Sequence, residues 1–103
     1  MEQGYQRGAL GVAALDREDW AAAEAQLSES RGISSDDPAR LINLGKVYAE
    51  TGRPGDAVKV WQLALASHRH FEVVTAQGRV VSTDQLAREA LARFQPGLRT
   101  ASR

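Results

Sequence analysis

Cysteine is absent from this chain of 103 residues, and with it go disulfides, thiolate metal sites and cysteine nucleophiles. Long apolar runs are absent too: no stretch approaches the roughly 20 residues that a membrane-spanning helix needs. The opening Met1-Glu2-Gln3-Gly4-Tyr5 lacks the basic-then-apolar pattern of a secretory leader. A soluble molecule is therefore expected, cytoplasmic by default and periplasmic if a leader has been trimmed. Net charge is lacking as well, because thirteen basic side chains balance thirteen acidic ones. A neutral total provides no global field to draw the chain to nucleic acid or anionic lipid, and neither partner is expected. Catalytic motifs are missing in turn: there is no Gly-x-Ser-x-Gly elbow, no phosphate-cradling glycine loop and no zinc-binding helix motif. The chain is read as non-enzymatic and without a cofactor.

What is present is an ordinary globular composition, 43% hydrophobic and 25% charged, of a length that fits one domain. The charges are unevenly placed. Residues 1–37 hold eight acids and three arginines, whereas residues 38–103 hold five acids and ten lysines or arginines. Such a dipole orients partners only weakly when its charges are solvated.

A repeat organises the chain. Leu10-Gly11 recurs as Leu44-Gly45, Ala14 as Tyr48, Ala23 as Ala57 and Leu27 as Trp61, always 34 positions apart. The second copy reads Leu41-x2-Leu44-Gly45-x2-Tyr48, followed by Ala57-x3-Trp61-x2-Ala64. This pattern resembles the tetratricopeptide repeat, a family of antiparallel helical hairpins that stack into a superhelix. The resemblance covers about residues 4–70, as a degenerate first repeat over 4–37 and a second over 38–70. In the first, Arg7, Ala14 and Ser30 depart from the usual apolar, aromatic and small residues, and Ser35 and Arg69 stand where each repeat would close on proline.

Local chemistry predicts the same elements without the family. Asp37 is a good N-cap, Pro38 suits the first helical position, and Leu41, Leu44, Val47 and Tyr48 share one face of a helix over 38–50. Gly52 ends that helix and Pro54 starts another, with Ala57, Val60, Trp61, Ala64 and Leu65 turned inward. In the first repeat, Leu10, Val12, Ala14 and Leu15 form the apolar side of one helix, and Asp19 caps a second bearing Trp20, Ala23 and Leu27. Gly11, Gly45, Ala23, Ala57 and Ala64 allow close helix approach, which a larger side chain would block. Trp61 takes a core position, and Trp20 a half-buried anchor position.

Residues 71–103 leave the repeat. Phe71 to Thr75 and Arg79 to Ser82 are rich in β-branched residues and are joined by Ala76-Gln77-Gly78, which predicts a β-hairpin over 71–82. Ser82, Thr83 and Asp84 supply capping oxygens for a helix over 83–95, and Pro96-Gly97 stops it ahead of a frayed cationic tail over 96–103. Two stacked hairpins leave an apolar face uncovered. The last helix is expected to cover it through Leu86, Leu91 and Phe94. The alternative is self-association into a homodimer, through the hairpin edge or through the face of Leu10 and Trp20.

The family resemblance implies that a peptide or partner helix binds in the groove lined by the first helix of each pair. By position, that groove comprises Tyr5, Gly8, Val12 and Asp16, with Ala39, Ile42, Asn43, Lys46 and Glu50. Family members that clamp a peptide carboxylate use a basic cluster. Here only Asn43 matches it, Gly8 and Val12 occupy its other positions, and that specialised activity is set aside. His68-Arg69-His70 offers two imidazoles where a bound ion needs three or four ligands, and it reads as a cationic helix end. Asp36-Asp37 and Asp16-x-Glu18-Asp19 read as helix-start carboxylates. Arg88, Arg93, Arg99 and Arg103 lack the interleaved aromatics of an RNA-binding surface. The expected function is a protein-interaction module or scaffold.

Overall fold

The computed structural model describes residues 10–29, 33–75 and 77–94. Its elements run α1 Val12–Asp16, α2 Trp20–Ser28, α3 Pro38–Glu50, α4 Pro54–Ala66, β1 Glu72–Val74, β2 Val80–Ser82 and α5 Thr83–Phe94. The protein is mainly helical, with one small antiparallel sheet. Among the described residues no helix is long and apolar enough to cross a membrane.

The bounds of α3 and α4 follow from residues that start and stop helices. Asp37 is buried, and its Oδ1 accepts from the backbone N–H groups of Ala39 at 3.0 Å and Arg40 at 3.2 Å, with Pro38 beginning the first turn. At the other end Gly52 takes φ +76°, and the Arg53 N–H donates to the Tyr48 carbonyl at 2.8 Å. That bond closes the helix with a left-handed glycine, and Pro54 opens α4 two residues later. The resulting hairpin packs through Gly45: a methyl group there would overlap the indole of Trp61. Trp61 is buried, and its Nε1–H donates to the Ile42 carbonyl at 3.2 Å, so the closest approach of the two helices is also hydrogen-bonded.

The first pair is shorter. Gly11 takes φ +64° at the head of α1, so the helix begins at Val12 and Leu10 lies ahead of it, still fully buried. The sequence reading put Leu10 on the apolar side of a longer helix, and the left-handed glycine is the reason it does not lie there. The earlier part of that reading, residues 4–9, falls outside the described residues. Asp19 caps α2, its Oδ1 accepting from the Ala22 N–H at 3.2 Å. Asp16 does not sit at a helix start: it is the last residue of α1. Leu10, Ala14, Ala23 and Leu27 share one core with Ala39, Leu44 and Val47, which joins the two pairs.

The hairpin pairs Glu72 with Ser82, Val73 with Val81 and Val74 with Val80. Gly78, at φ +80°, ends its three-residue loop and donates to the Thr75 carbonyl at 2.9 Å. Val73 and Val81 are buried while Val74 and Val80 are half exposed, the alternation of a one-sided sheet. Ser82 caps α5 by accepting from the Gln85 N–H at 3.4 Å. Thr83 is fully buried; its N–H donates to the Phe71 carbonyl at 2.9 Å and its Oγ1 accepts from the Phe71 N–H at 3.3 Å. Helix and sheet are thereby fastened at one point.

Helix α5 lies on the α3–α4 hairpin, through Leu91 and Phe94 as expected but with alanines, not Leu86, at its centre. Ala87 joins Leu41 and Ala64, and Ala90 joins Ala57 and Trp61, with Leu91 against the same group. Small side chains make this seam, which brings the backbone close. Leu86 stays outside it, and Phe94 is 42% exposed, its ring 5.2 Å from that of Trp61 and tilted by 51°.

Candidate functional site

Helix α1, the inner side of α3, Trp61 of α4, the hairpin and α5 surround a cavity of about 410 Å³. Its floor includes Trp61 and Asn43, and its walls carry Val12 and Leu15 from α1, Ile42 from α3, and Leu86 and Ala90 from α5. Val74, Thr75 and Gln77 of the hairpin close another side. Charged groups border it at Asp16, Lys46 and Arg93. An apolar concavity of this volume with few polar groups at its mouth falls within the range of ligand-binding pockets, about 300–1,000 Å³.

Helix α3 supplies both core and cavity from adjacent faces. Ile42, Asn43 and Lys46 face the cavity, as the groove reading expects, together with Val12 and Asp16 of α1. Ala39 belongs elsewhere: it is fully buried in the core shared with the first pair, because the first turn of α3 is covered there. Glu50 does not border the cavity and instead pairs with Lys46 at 3.4 Å, one helical turn away. Tyr5 and Gly8 lie outside the described residues.

Asn43 has a structural duty. Its Nδ2 donates to the Leu10 carbonyl at 2.8 Å from a buried position, which ties α3 to the backbone just ahead of α1. It is therefore not a free amide held ready for a ligand. Asp16 and Arg93 are exposed and make no ion pair among the described residues. The acid nearest in sequence to Arg93 on its own helix face, Glu89, is held by Arg79 at 2.9 Å and by Gln85 at 3.1 Å; these bonds lower its pKa, and the charge of Arg93 adds to the effect from beyond ion-pair distance.

The other candidates have ordinary roles. Arg69 reaches Asp36 at 3.9 Å and Asp37 at 3.8 Å, joining the end of the helical hairpin to the start of α3. Asp36 also accepts from the Ser34 hydroxyl, the main cause of its lowered pKa. His68 and His70 are exposed, and His70 Nδ1 lies 3.4 Å from Thr83 Oγ1. Among the described residues no three potential metal ligands gather.

The sequence reading missed Leu86, Arg93, Val74 and Thr75 as cavity residues. One signal for Leu86 and Arg93 was available: positions 86, 90 and 93 form a second stripe on α5, beside the stripe of 83, 87, 90 and 94. No periodicity signals that β1 would border the same space, since that depends on how the hairpin folds back. Compared with protein-family models, curated proteins and solved structures, the chain matches none of them, so its functional reading rests on its own residues and geometry.

Proposed function

We propose that this protein is a non-enzymatic interaction module of tetratricopeptide type that binds a peptide in the cavity between α1, α3 and α5. The observation carrying the reading is the cavity itself: Val12, Asp16, Ile42, Asn43 and Lys46, chosen from the repeat register, all border one apolar space. The family assignment draws support from contacts that recur 34 residues apart. The site of a Cβ on Gly11 faces Ala23 and Leu27, and that on Gly45 faces Trp61, the counterpart of Leu27. Both glycines let a second helix approach against the same large position. In this reading α5 takes the place of a further hairpin.

Leu86→Asp tests the proposal, because Leu86 lines the cavity without belonging to the core clusters. Peptides selected from a displayed random library against the protein are expected to lose binding to this variant while its melting temperature stays near that of the parent. Selected peptides that bind the variant unchanged would refute the groove. A second reading, a homodimer, is favoured by Val74 and Val80, which pair across the sheet at 50% and 60% exposure. Sedimentation at micromolar concentration separates the two, with a dimer mass that Val80→Lys returns to monomer favouring self-assembly.

A further inference from the structure

The hairpin beside the cavity has a defined hydrogen-bonding polarity. The Thr75 N–H donates to the Arg79 carbonyl at 2.9 Å, and the Thr83 N–H donates to the Phe71 carbonyl at 2.9 Å. Between these ends the register sets Val73 opposite Val81, so residues 71, 73 and 75 turn their backbone groups toward β2. Glu72 and Val74 therefore turn their N–H and C=O groups the other way, to the free edge of β1. No other backbone or side-chain group among the described residues is bonded to them there.

That edge borders the cavity. Val74, the last residue of β1, lines it together with Thr75 and Gln77, which follow the strand, while no residue of β2 does. A space touched by the end of one strand and by none of its partner lies on the outer side of that strand's end. An apolar pocket and an unpaired strand edge thus meet, and they fit a single occupant: an extended chain whose backbone pairs with the edge while every second side chain enters the pocket. Arg93 at the mouth, which makes no ion pair among the described residues, complements an acidic side chain on that chain.

We infer that an extended peptide carrying an apolar residue at alternate positions and one acidic residue adds to the edge of β1 as a third strand, with its apolar side chain among Leu15, Ile42 and Leu86. This rests on the groove proposed above and specifies its mode: strand addition, not the docking of a helix.

The test uses peptides selected from the displayed library, resynthesised with single backbone N-methyl groups, and the full-length protein. Methylation at alternate positions is expected to weaken binding about tenfold each, the loss of one hydrogen bond, with no effect at the positions between. Val74→Pro removes an edge donor without touching the bonds to β2, and a proline is tolerated where the N–H faces outward. It is expected to weaken binding about tenfold, while Val74→Thr, which keeps the N–H, leaves it unchanged. Arg93→Glu is expected to select peptides with a basic residue in place of the acidic one. If Val74→Pro fails to fold, the methylation series decides. Binding that is abolished by Leu86→Asp yet indifferent to methylation overturns strand addition and leaves the groove standing. Binding that ignores Leu86→Asp, or a library that yields no binder, overturns both. A dimer of the free protein that Val74→Pro dissolves assigns the edge to a second copy and also overturns the inference.

Discussion

The two helix pairs share a repeat register but differ in how they hold together. The second is bonded within itself: α3 and α4 run 13 residues each, start on proline, turn on Gly52 and bond across their own seam through Trp61. The described helices of the first run 5 and 9 residues, and Glu18 between them takes φ +59°, a strained conformation for a residue with a side chain. Side chains of the second pair reach across to it. Asn43 donates to the Leu10 carbonyl, Arg40 Nε donates to the Leu27 carbonyl at 2.8 Å at the end of α2, and Arg53 clamps Glu24 at 2.6 and 3.3 Å while lying 4.7 Å above the Tyr48 ring. The shorter first pair is thus tied through its polar groups to the better-formed second pair.

The glycines offer the largest test of that contrast. Gly45→Ala forces the Trp61 indole away and breaks its bond to Ile42. Set against the gain in helix propensity, this should cost about 3 kcal/mol in denaturant unfolding. Gly11→Ala meets Ala23 O at 3.3 Å and a left-handed backbone, and should cost about 1–2 kcal/mol. An equal or greater loss at Gly11 would break the ranking of the two pairs.

A smaller effect should be local. Asn43→Ala leaves the Leu10 carbonyl without its side-chain donor, and Arg40→Ala does the same at the end of α2, each with a penalty of about 1–3 kcal/mol. Hydrogen exchange should accelerate across α1 and α2 in both variants while α3 and α4 keep their protection. Uniform acceleration over all four helices would mean that the pairs unfold together.

The smallest expected effect is on pH dependence. The hydrogen bond from Arg53 holds Glu24 below its usual pKa of 4.5, opposed by burial and aided by the Arg53 charge. Because the folded value is lowered, this contribution is fully present above the ordinary carboxylate range and fades as pH falls through the folded value. Glu24→Gln should therefore lower the denaturation midpoint slightly at neutral pH and flatten its decline on acidification. Some slope must remain, since Asp36, held mainly by Ser34, Asp84, held mainly by Ser82, and Glu89, held mainly by Arg79, are lowered too. A parallel shift with undiminished slope would remove Glu24 from the link between the pairs.

Much of the second pair was legible in the residues, because its signals are local. Asp37 with Pro38, Gly52 with Pro54, and apolar side chains at three-and-four spacing act within one or two turns, and each operates where the sequence places it. The hairpin was legible for the same reason, from β-branched runs flanking a loop that ends in glycine. The shortened α1 was not, since Gly11 satisfies both a close-packing role and a helix-breaking one. Its contact with Ala23 and its left-handed backbone coexist.

Sequence by itself determined the alternation of helices, the turns that separate them and the side chains able to form a core, all governed by short-range propensity and burial. Only the tertiary structure decided that Ala39 turns inward, that Asn43 serves a backbone carbonyl 33 residues away, and that Leu86 and the edge of β1 face the same cavity as α1. Those outcomes depend on the angle at which α5 and the hairpin return across α3. That angle is set jointly by the small-residue seam of Ala87 and Ala90 and by the Thr83–Phe71 bonds, so no single stretch of chain encodes it.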